Sequence, residues 1–200
     1  EALADQHTGM EPVVVDSGCG EGYYTAGIFN RLTAAGKKPT IAGIDLSKFA
    51  LRWAAKRQKE IEFAVASAYH LPVADRQADL FLNCFSPLAL DEVRRVLKPG
   101  GTFLYVVPAA RHLWELKAVL YEHPYLNVEE RTPYAGFRYQ EVQRVEKSIH
   151  LPDQQTVQDL FHMTPYCWKT PGKGKAKLEQ LTELDVQTQF DIHVFMREEE

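Results

Sequence analysis

The chain has 200 residues, 45% hydrophobic and 25% charged, with a formal net charge of −4. That suits one soluble globular domain with a sizeable core, and it excludes a uniformly basic nucleic-acid binder while leaving room for a local basic patch. Three widely spaced cysteines (Cys19, Cys84, Cys167) form no C-x-x-C pair, so no zinc ribbon or disulfide framework is expected; with no apolar run near the ~18 residues of a membrane span and no signal peptide, a reducing cytoplasm without a membrane partner is the expectation.

The chain begins at Glu1 without methionine, which reads as a cloning or processing boundary with something upstream. Residues 1–12 read as a polar lead-in. Val13–Asp16 is a buried strand, and Tyr24, Ile28 and Leu32 mark a helix over 23–35 that Gly36 ends. Ile41–Asp45 is a second strand, and Ser47 caps a helix carrying Phe49, Ala50, Trp53 and Ala54. Ile61–Ala66 and Ala78–Asn83 are strands three and four, with a Pro72-bearing loop between them. Leu90–Leu97 is a helix stopped by Pro99-Gly100-Gly101, and Thr102–Val107 is strand five. Strands alternating with helices predict an α/β fold, a mostly parallel sheet with helices on both faces.

After residue 108 the rhythm changes. His112–Tyr121 is a helix, Arg138–Leu151 is strand-like, Asp153–Phe161 is helical and Lys173–Lys177 is a basic, glycine-bearing loop. Leu178–Leu184 reads as a short helix. From Val186 to Met196 apolar and polar residues alternate, a strand signal. The last two strands are expected as antiparallel neighbours at one edge. Residues 13–108 thus form a cofactor-binding core and 109–200 a substrate side within one domain, with Glu198–Glu200 a disordered tail.

Chemistry concentrates after the first strand. Asp16 precedes Gly18-x-Gly20-x-Gly22, where glycines permit a tight turn and close approach of a ligand to backbone amides at a helix N-terminus. Asp45 ends the second strand, where a carboxylate can receive ribose hydroxyls; that fits a nicotinamide dinucleotide or another adenosine cofactor.

The Asp16–Gly22 spacing resembles the D/E-x-G-x-G-x-G loop of class I S-adenosylmethionine-dependent methyltransferases, and Leu97-Lys98-Pro99-Gly100-Gly101 is similar to that superfamily's L-K-P-G-G turn. The resemblance implies a Rossmann-like seven-stranded sheet with an antiparallel edge strand. It implies S-adenosyl-L-methionine held by Asp16, Gly18, Gly20, Glu21, Gly22, Asp45, Leu46, Ser67, Ala68 and His112. The acid common in the third-strand loop is absent, and the Ser67 hydroxyl or a backbone group stands in its place.

A narrower resemblance rests on Gly18–Thr25, Ala66-Ser67, Arg111–Lys117, Met163–Trp168 and Phe190–His193. Together these look like the bacterial 23S ribosomal RNA guanine-N1 methyltransferases. The partner implied is 23S ribosomal RNA, with neither DNA nor a membrane, and a homodimer is compatible. That family carries an N-terminal zinc-binding module whose cysteines are absent here, and no metal site is expected in this stretch. The target guanine must be unpaired or flipped out to be reached. Asn83 and Phe85, at the superfamily's substrate-facing edge, would orient and stack a purine. Arg111 would serve the substrate. His112 would touch the cofactor's methionine end or accept the N1 proton. Tyr166 and Trp168 would form a lid over the base or a satellite core. Lys169, Lys173, Lys175 and Lys177, and likewise Arg94, Arg95 and Lys98, would contact phosphates or simply be solvated. A small-molecule methyltransferase and a non-catalytic binding fragment remain the competing readings.

Overall fold

The computed structural model describes residues 1–129 and 134–199. In chain order it runs α1 (Ala2–Gln6), β1 (Val13–Ser17), α2 (Tyr23–Ala34), β2 (Thr40–Asp45), α3 (Lys48–Arg57), β3 (Glu62–Val65), β4 (Ala78–Cys84), α4 (Leu90–Val96) and β5 (Leu97–Pro108). Then follow α5 (Trp114–Leu120), β6 (Phe137–Leu151), α6 (Gln154–Met163), α7 (Tyr166–Lys169), α8 (Gly172–Leu178) and β7 (Leu184–Arg197). One seven-stranded sheet has the order β3-β2-β1-β4-β5-β7-β6. It is parallel from β3 to β5, with antiparallel strands at the β6 edge.

The described residues form two compact units, 1–107 with 134–142 and 192–199, and 108–129 with 143–191. In the first, β1 lies between β2 and β4, with Asp16 level with Gly43 and Leu82. Successive residues of a strand enter opposite cores. Val14, Leu80, Leu82, Leu104 and Val194 pack with Ile28 and Leu32; Val15, Phe81, Phe103 and Phe195 pack with Val93 and Val96. Both faces are covered, so the central strands read as unbroken apolar runs.

The lead-in holds an unexpected helix. Leu3 and Ala4 of α1 are buried, and Asp5 pairs with Arg31 and Lys37, each at 2.9 Å. The alternation of β7 predicts the strand but not its burial. Gln189, Asp191, His193 and Arg197 on its polar side are all buried. The strand is interior, between β5 and β6, and polar groups of those neighbouring strands meet its polar side. Tyr139 Oη and His193 Nδ1 are 3.2 Å apart, and an Arg197 guanidinium N–H donates to the Leu97 carbonyl. The outermost strand, β6, is mostly exposed and bears Arg138, Glu141, Arg144, Glu146 and Lys147, charges that oppose edge-to-edge pairing. In the acidic tail, Glu198 N–H donates to the Gly136 carbonyl at 3.0 Å; Glu200 lies outside the described residues. Among the described residues no helix is long and apolar enough to cross a membrane.

The second unit has its own core of Leu113, Leu116, Leu120, Leu151, Val157, Phe161, Leu178 and Val186. Asp153 caps α6 by accepting the Thr156 N–H at 2.7 Å. Residues 173–177, expected as a loop, lie inside α8, which packs on α5 through Gly174. A Cβ there would stand 2.1 Å from the Leu120 carbonyl oxygen, so the two helices approach this closely only with glycine. Gly174→Ala is therefore expected to cost about 1–3 kcal/mol. Thermal unfolding tests this; an unchanged melting temperature contradicts the packing.

Candidate functional site

The first unit builds a cradle at the carboxyl ends of β1, β2 and β4. Gly18, Gly20 and Gly22 all have positive φ (79°, 55° and 69°), which explains the alternate glycines. Their surroundings differ. A Cβ on Gly18 would lie 2.2 Å from Ser86 Cβ, and one on Gly22 would lie 2.9 Å from Ala54 Cβ, but one on Gly20 would meet nothing within 4 Å. Two glycines serve packing, and the third leaves open space. Asp45 shapes the loop directly. Its Oδ2 accepts the Gly20 N–H at 2.9 Å and its Oδ1 the Ser47 N–H at 2.7 Å. Asp16, Gly18, Cys19, Gly20, Glu21, Tyr23, Tyr24 and Cys84 line a cavity of about 200 Å³.

Asp16 is fully buried; its Oδ2 accepts the Thr25 hydroxyl at 2.6 Å, and its Oδ1 has no hydrogen-bond partner among the described residues. Burial pushes its pKa up to about 7, opposed by the Thr25 hydroxyl and reinforced by the nearby Asp45 charge. Between about pH 4 and 7 the folded chain then binds this proton more tightly than the unfolded chain, so stability falls as pH rises through that window. The stability advantage of Asp16→Asn over the native chain, without cofactor, is expected to grow by about 2–4 kcal/mol from about pH 4 to about pH 8. Denaturant titrations across pH check this; a pH-independent difference contradicts it. Burial also raises the thiols of Cys19 and Cys84, the latter to about 12, so neither is a thiolate nucleophile at neutral pH.

At the end of β4, Asn83 is buried, and its Nδ2 donates to the Pro87 carbonyl at 3.0 Å. Its Oδ1 has no partner among the described residues. Phe85 adopts φ 59°, a left-handed conformation that is strained for this residue, and stays half exposed. Its ring sits edge-on to Tyr24, 6.4 Å between centroids, beside the cavity. Leu46 is exposed after Asp45, and Ser67-Ala68 follows β3, with the Ser67 hydroxyl accepting the Tyr69 N–H at 3.2 Å. Arg95 pins this loop from α4, donating to the Leu71 and Val73 carbonyls and pairing with Glu92 and Asp75. Lys98 pairs with Asp79 at 2.7 Å. These two cations, read as possible phosphate contacts, are committed inside the unit.

The other sequence-chosen residues belong to the second unit. Arg111 is exposed, with its guanidinium over the Trp114 ring at 5.2 Å. His112 Nδ1 accepts the Gln189 N–H at 3.2 Å, which places the ring proton on Nε2. Burial, helped by the Lys117 charge, lowers its pKa to about 4. At neutral pH the ring is uncharged and offers a donor; its lone pair is spent on Gln189. Tyr166 packs in the unit's core, and burial raises its hydroxyl to about 12, whereas Trp168 is 87% exposed.

Two groups escaped the sequence reading. Thr25 bonds Asp16, and its position in the first turn after the glycines was the available signal. Lys117 is fully buried, donating to Asn127 Oδ1 at 2.6 Å and the Tyr125 carbonyl at 3.1 Å, with its ammonium over the Tyr125 and Tyr166 rings. Asn127 in turn donates to the Ala109 carbonyl at 2.8 Å, so this lysine braces the segment carrying Arg111 and His112. A lysine in the middle of α5, two residues after Glu115, gives no sequence sign of such burial.

Residues 10–170 match the family described as a methyltransferase domain. The chain is 34% identical over 205 residues to YxjB of Bacillus subtilis (strain 168), named as a candidate 23S rRNA (guanine-N1)-methyltransferase; the match covers 98% of this chain and 71% of that protein. It is 39% identical over 111 residues to the 23S rRNA (guanine(748)-N1)-methyltransferase of Streptomyces fradiae, spanning 54% of this chain and 38% of that protein. Relatives named malonyl-[acyl-carrier protein] O-methyltransferases match as well, that of Yersinia pestis over 57% of this chain and 42% of its own length and that of Serratia marcescens over 78% and 63%. A structure from Bacillus halodurans C-125, named as a candidate methyltransferase, superimposes with a TM-score of 0.64 at 16% identity, over 99% of this chain and 98% of that one.

Proposed function

The chain belongs to the family of S-adenosylmethionine-dependent methyltransferases, and from that premise we propose that it transfers the methyl group to N1 of a guanine in 23S ribosomal RNA. The observation that carries the RNA substrate is the similarity to YxjB over 98% of this chain, at 34% identity, which takes in the second unit; the acyl-carrier relatives match 78% of the chain or less, at 28–32% identity for those of Serratia marcescens and Yersinia pestis.

The cradle fits the cofactor by its own features. Asp45 keeps lone pairs for ribose hydroxyls beyond the two backbone donors it already accepts. The open space at Gly20 lets a ligand reach the loop backbone. The unmet acceptor on Asp16 Oδ1 suits an ammonium group. When bound, S-adenosylmethionine supplies an electrophilic methyl on a sulfonium, leaving the protein to position the nucleophile and handle a proton.

In this reading Phe85, beside Tyr24, offers an exposed ring face for the guanine. Asn83, held by Pro87, keeps an unmet Oδ1 acceptor at the end of β4, buried in this structure, so a donor on the purine edge would reach it only as the neighbouring side chains shift. His112 is suited to donate from Nε2 and not to act as base, because Nδ1 already accepts a backbone N–H. The N1 proton therefore leaves to water. Arg111 and Trp168, exposed in the second unit, serve the RNA. Such a substrate places the enzyme in the cytoplasm.

A second reading, methylation of a carboxyl on a carrier-bound acid, draws on the acyl-carrier relatives. Labelled S-adenosylmethionine offered with protein-free 23S RNA and, separately, with malonyl-acyl carrier protein decides between them. Label in RNA alone is the expected result. Label in the carrier protein alone overturns the RNA reading.

A further inference from the structure

We propose that the outer face of α3 is a docking surface for single-stranded RNA next to the cradle. The inference rests on the RNA-substrate reading and adds where the strand lies. Phe49, Arg52, Trp53 and Lys56 fall at i, i+3, i+4 and i+7, which puts all four on one face of a helix. That face is turned outward. Phe49 is 76% and Trp53 59% exposed, whereas Leu51 and Ala54 carry the packing on the inward side.

Two large rings side by side on a helix surface are an unusual expenditure of apolar area for a soluble face. Each ring is interleaved with a cation: the Arg52 guanidinium lies 5.6 Å from the Phe49 centroid, and Lys56 Nζ lies 4.8 Å from that of Trp53. Neither cation has a carboxylate within ion-pair distance among the described residues. Between Leu46 and Lys59 the chain carries five basic residues and no acid, although its net charge is −4.

This charge balance is complementary to a polyanion. The exposed rings favour a single strand over a duplex, because only unpaired bases offer faces to stack on. The surface also continues to the site. The Arg57 guanidinium lies 5.6 Å from the Tyr23 ring centroid, and Tyr23 lines the cavity. A strand whose target base enters the cradle can thus run along α3, its bases against Phe49 and Trp53 and its phosphates against Arg52 and Lys56.

The test is fluorescence anisotropy of a short labelled oligouridylate titrated with the native chain, F49A/W53A and R52E/K56E. Melting curves and S-adenosylmethionine titrations run in parallel. The native chain is expected to bind the oligonucleotide, and each double variant to weaken it by about tenfold or more. R52E/K56E is also expected to lower the slope of log affinity against log salt by about one to two. Melting and cofactor affinity should stay as in the native chain, since these side chains lie outside the cradle. Equal affinity of native and variant chains overturns the proposal, as does a native chain that binds no oligouridylate. Competition by polyglutamate or duplex RNA as strong as by the single strand also overturns it, pointing to an acidic protein partner or to duplex. Methyl transfer to 23S RNA separates the two claims. If the native chain labels RNA and F49A/W53A does so with unchanged KM, the surface fails while the function stands. If the native chain labels no RNA, the function itself fails.

Discussion

Asp45→Ala is expected to weaken S-adenosylmethionine binding by at least about a hundredfold while the chain stays folded. The carboxylate does two jobs. It fixes the loop by accepting the Gly20 and Ser47 N–H groups at 2.9 and 2.7 Å, and in the proposed complex its remaining lone pairs would accept the ribose hydroxyls. Removing it loses charge-assisted hydrogen bonds of about 1.5–3 kcal/mol each and frees the one glycine that has open space before it. Asp45→Asn keeps an acceptor oxygen but not the charge, and should fall between, near tenfold. Calorimetric titration with the cofactor checks both; affinity within a few fold of native for the alanine variant contradicts the assignment.

Arg144→Met should destabilise the second unit by about 2–3 kcal/mol, or roughly 5–10 °C in melting temperature. Arg144 grips Asp191 with two nitrogens, both bonds at 2.8 Å, and Asp191 is only 4% exposed on the interior strand β7. Losing the arginine leaves a buried carboxylate without its two-pronged counter-ion. Arg144 also reaches Glu129, but that acid is 41% exposed and contributes little. The double variant Arg144→Met/Asp191→Leu removes both charges and should recover most of the loss. Thermal unfolding of Arg144→Met, Asp191→Leu and the double variant forms the cycle; a double variant as unstable as Arg144→Met contradicts the explanation.

The arginine also shows where sequence reading stops. Alternation across 186–196 is enough to predict a strand, but not that it lies inside the sheet with Asp191 and His193 buried. That depends on β6, thirty-five residues and more away in the chain, supplying Tyr139 and Arg144. The cradle was legible for the opposite reason. Strand, glycines and acid are consecutive, and the conformational demand on Gly18, Gly20 and Gly22 is local. Asp45 was legible because strand ends are marked by the switch from apolar to polar residues. The outward turn of Phe49 and Trp53 was not, because aromatic residues at helical spacing usually mean core. Arg95 and Lys98 look like free surface cations in sequence; their partners, Asp75 and Asp79, lie 20 and 19 residues earlier in the chain. The sequence leaves His112 open between two roles, because the Gln189 N–H that its Nδ1 accepts lies 77 residues further along the chain.

The fate of the methyl group decides the reaction. Protein-free 23S RNA incubated with the chain and isotopically labelled S-adenosylmethionine, digested to nucleosides and read by mass spectrometry, should carry the label as 1-methylguanosine. Label in any other nucleoside, or RNA that stays unlabelled while the chain binds the cofactor, contradicts it.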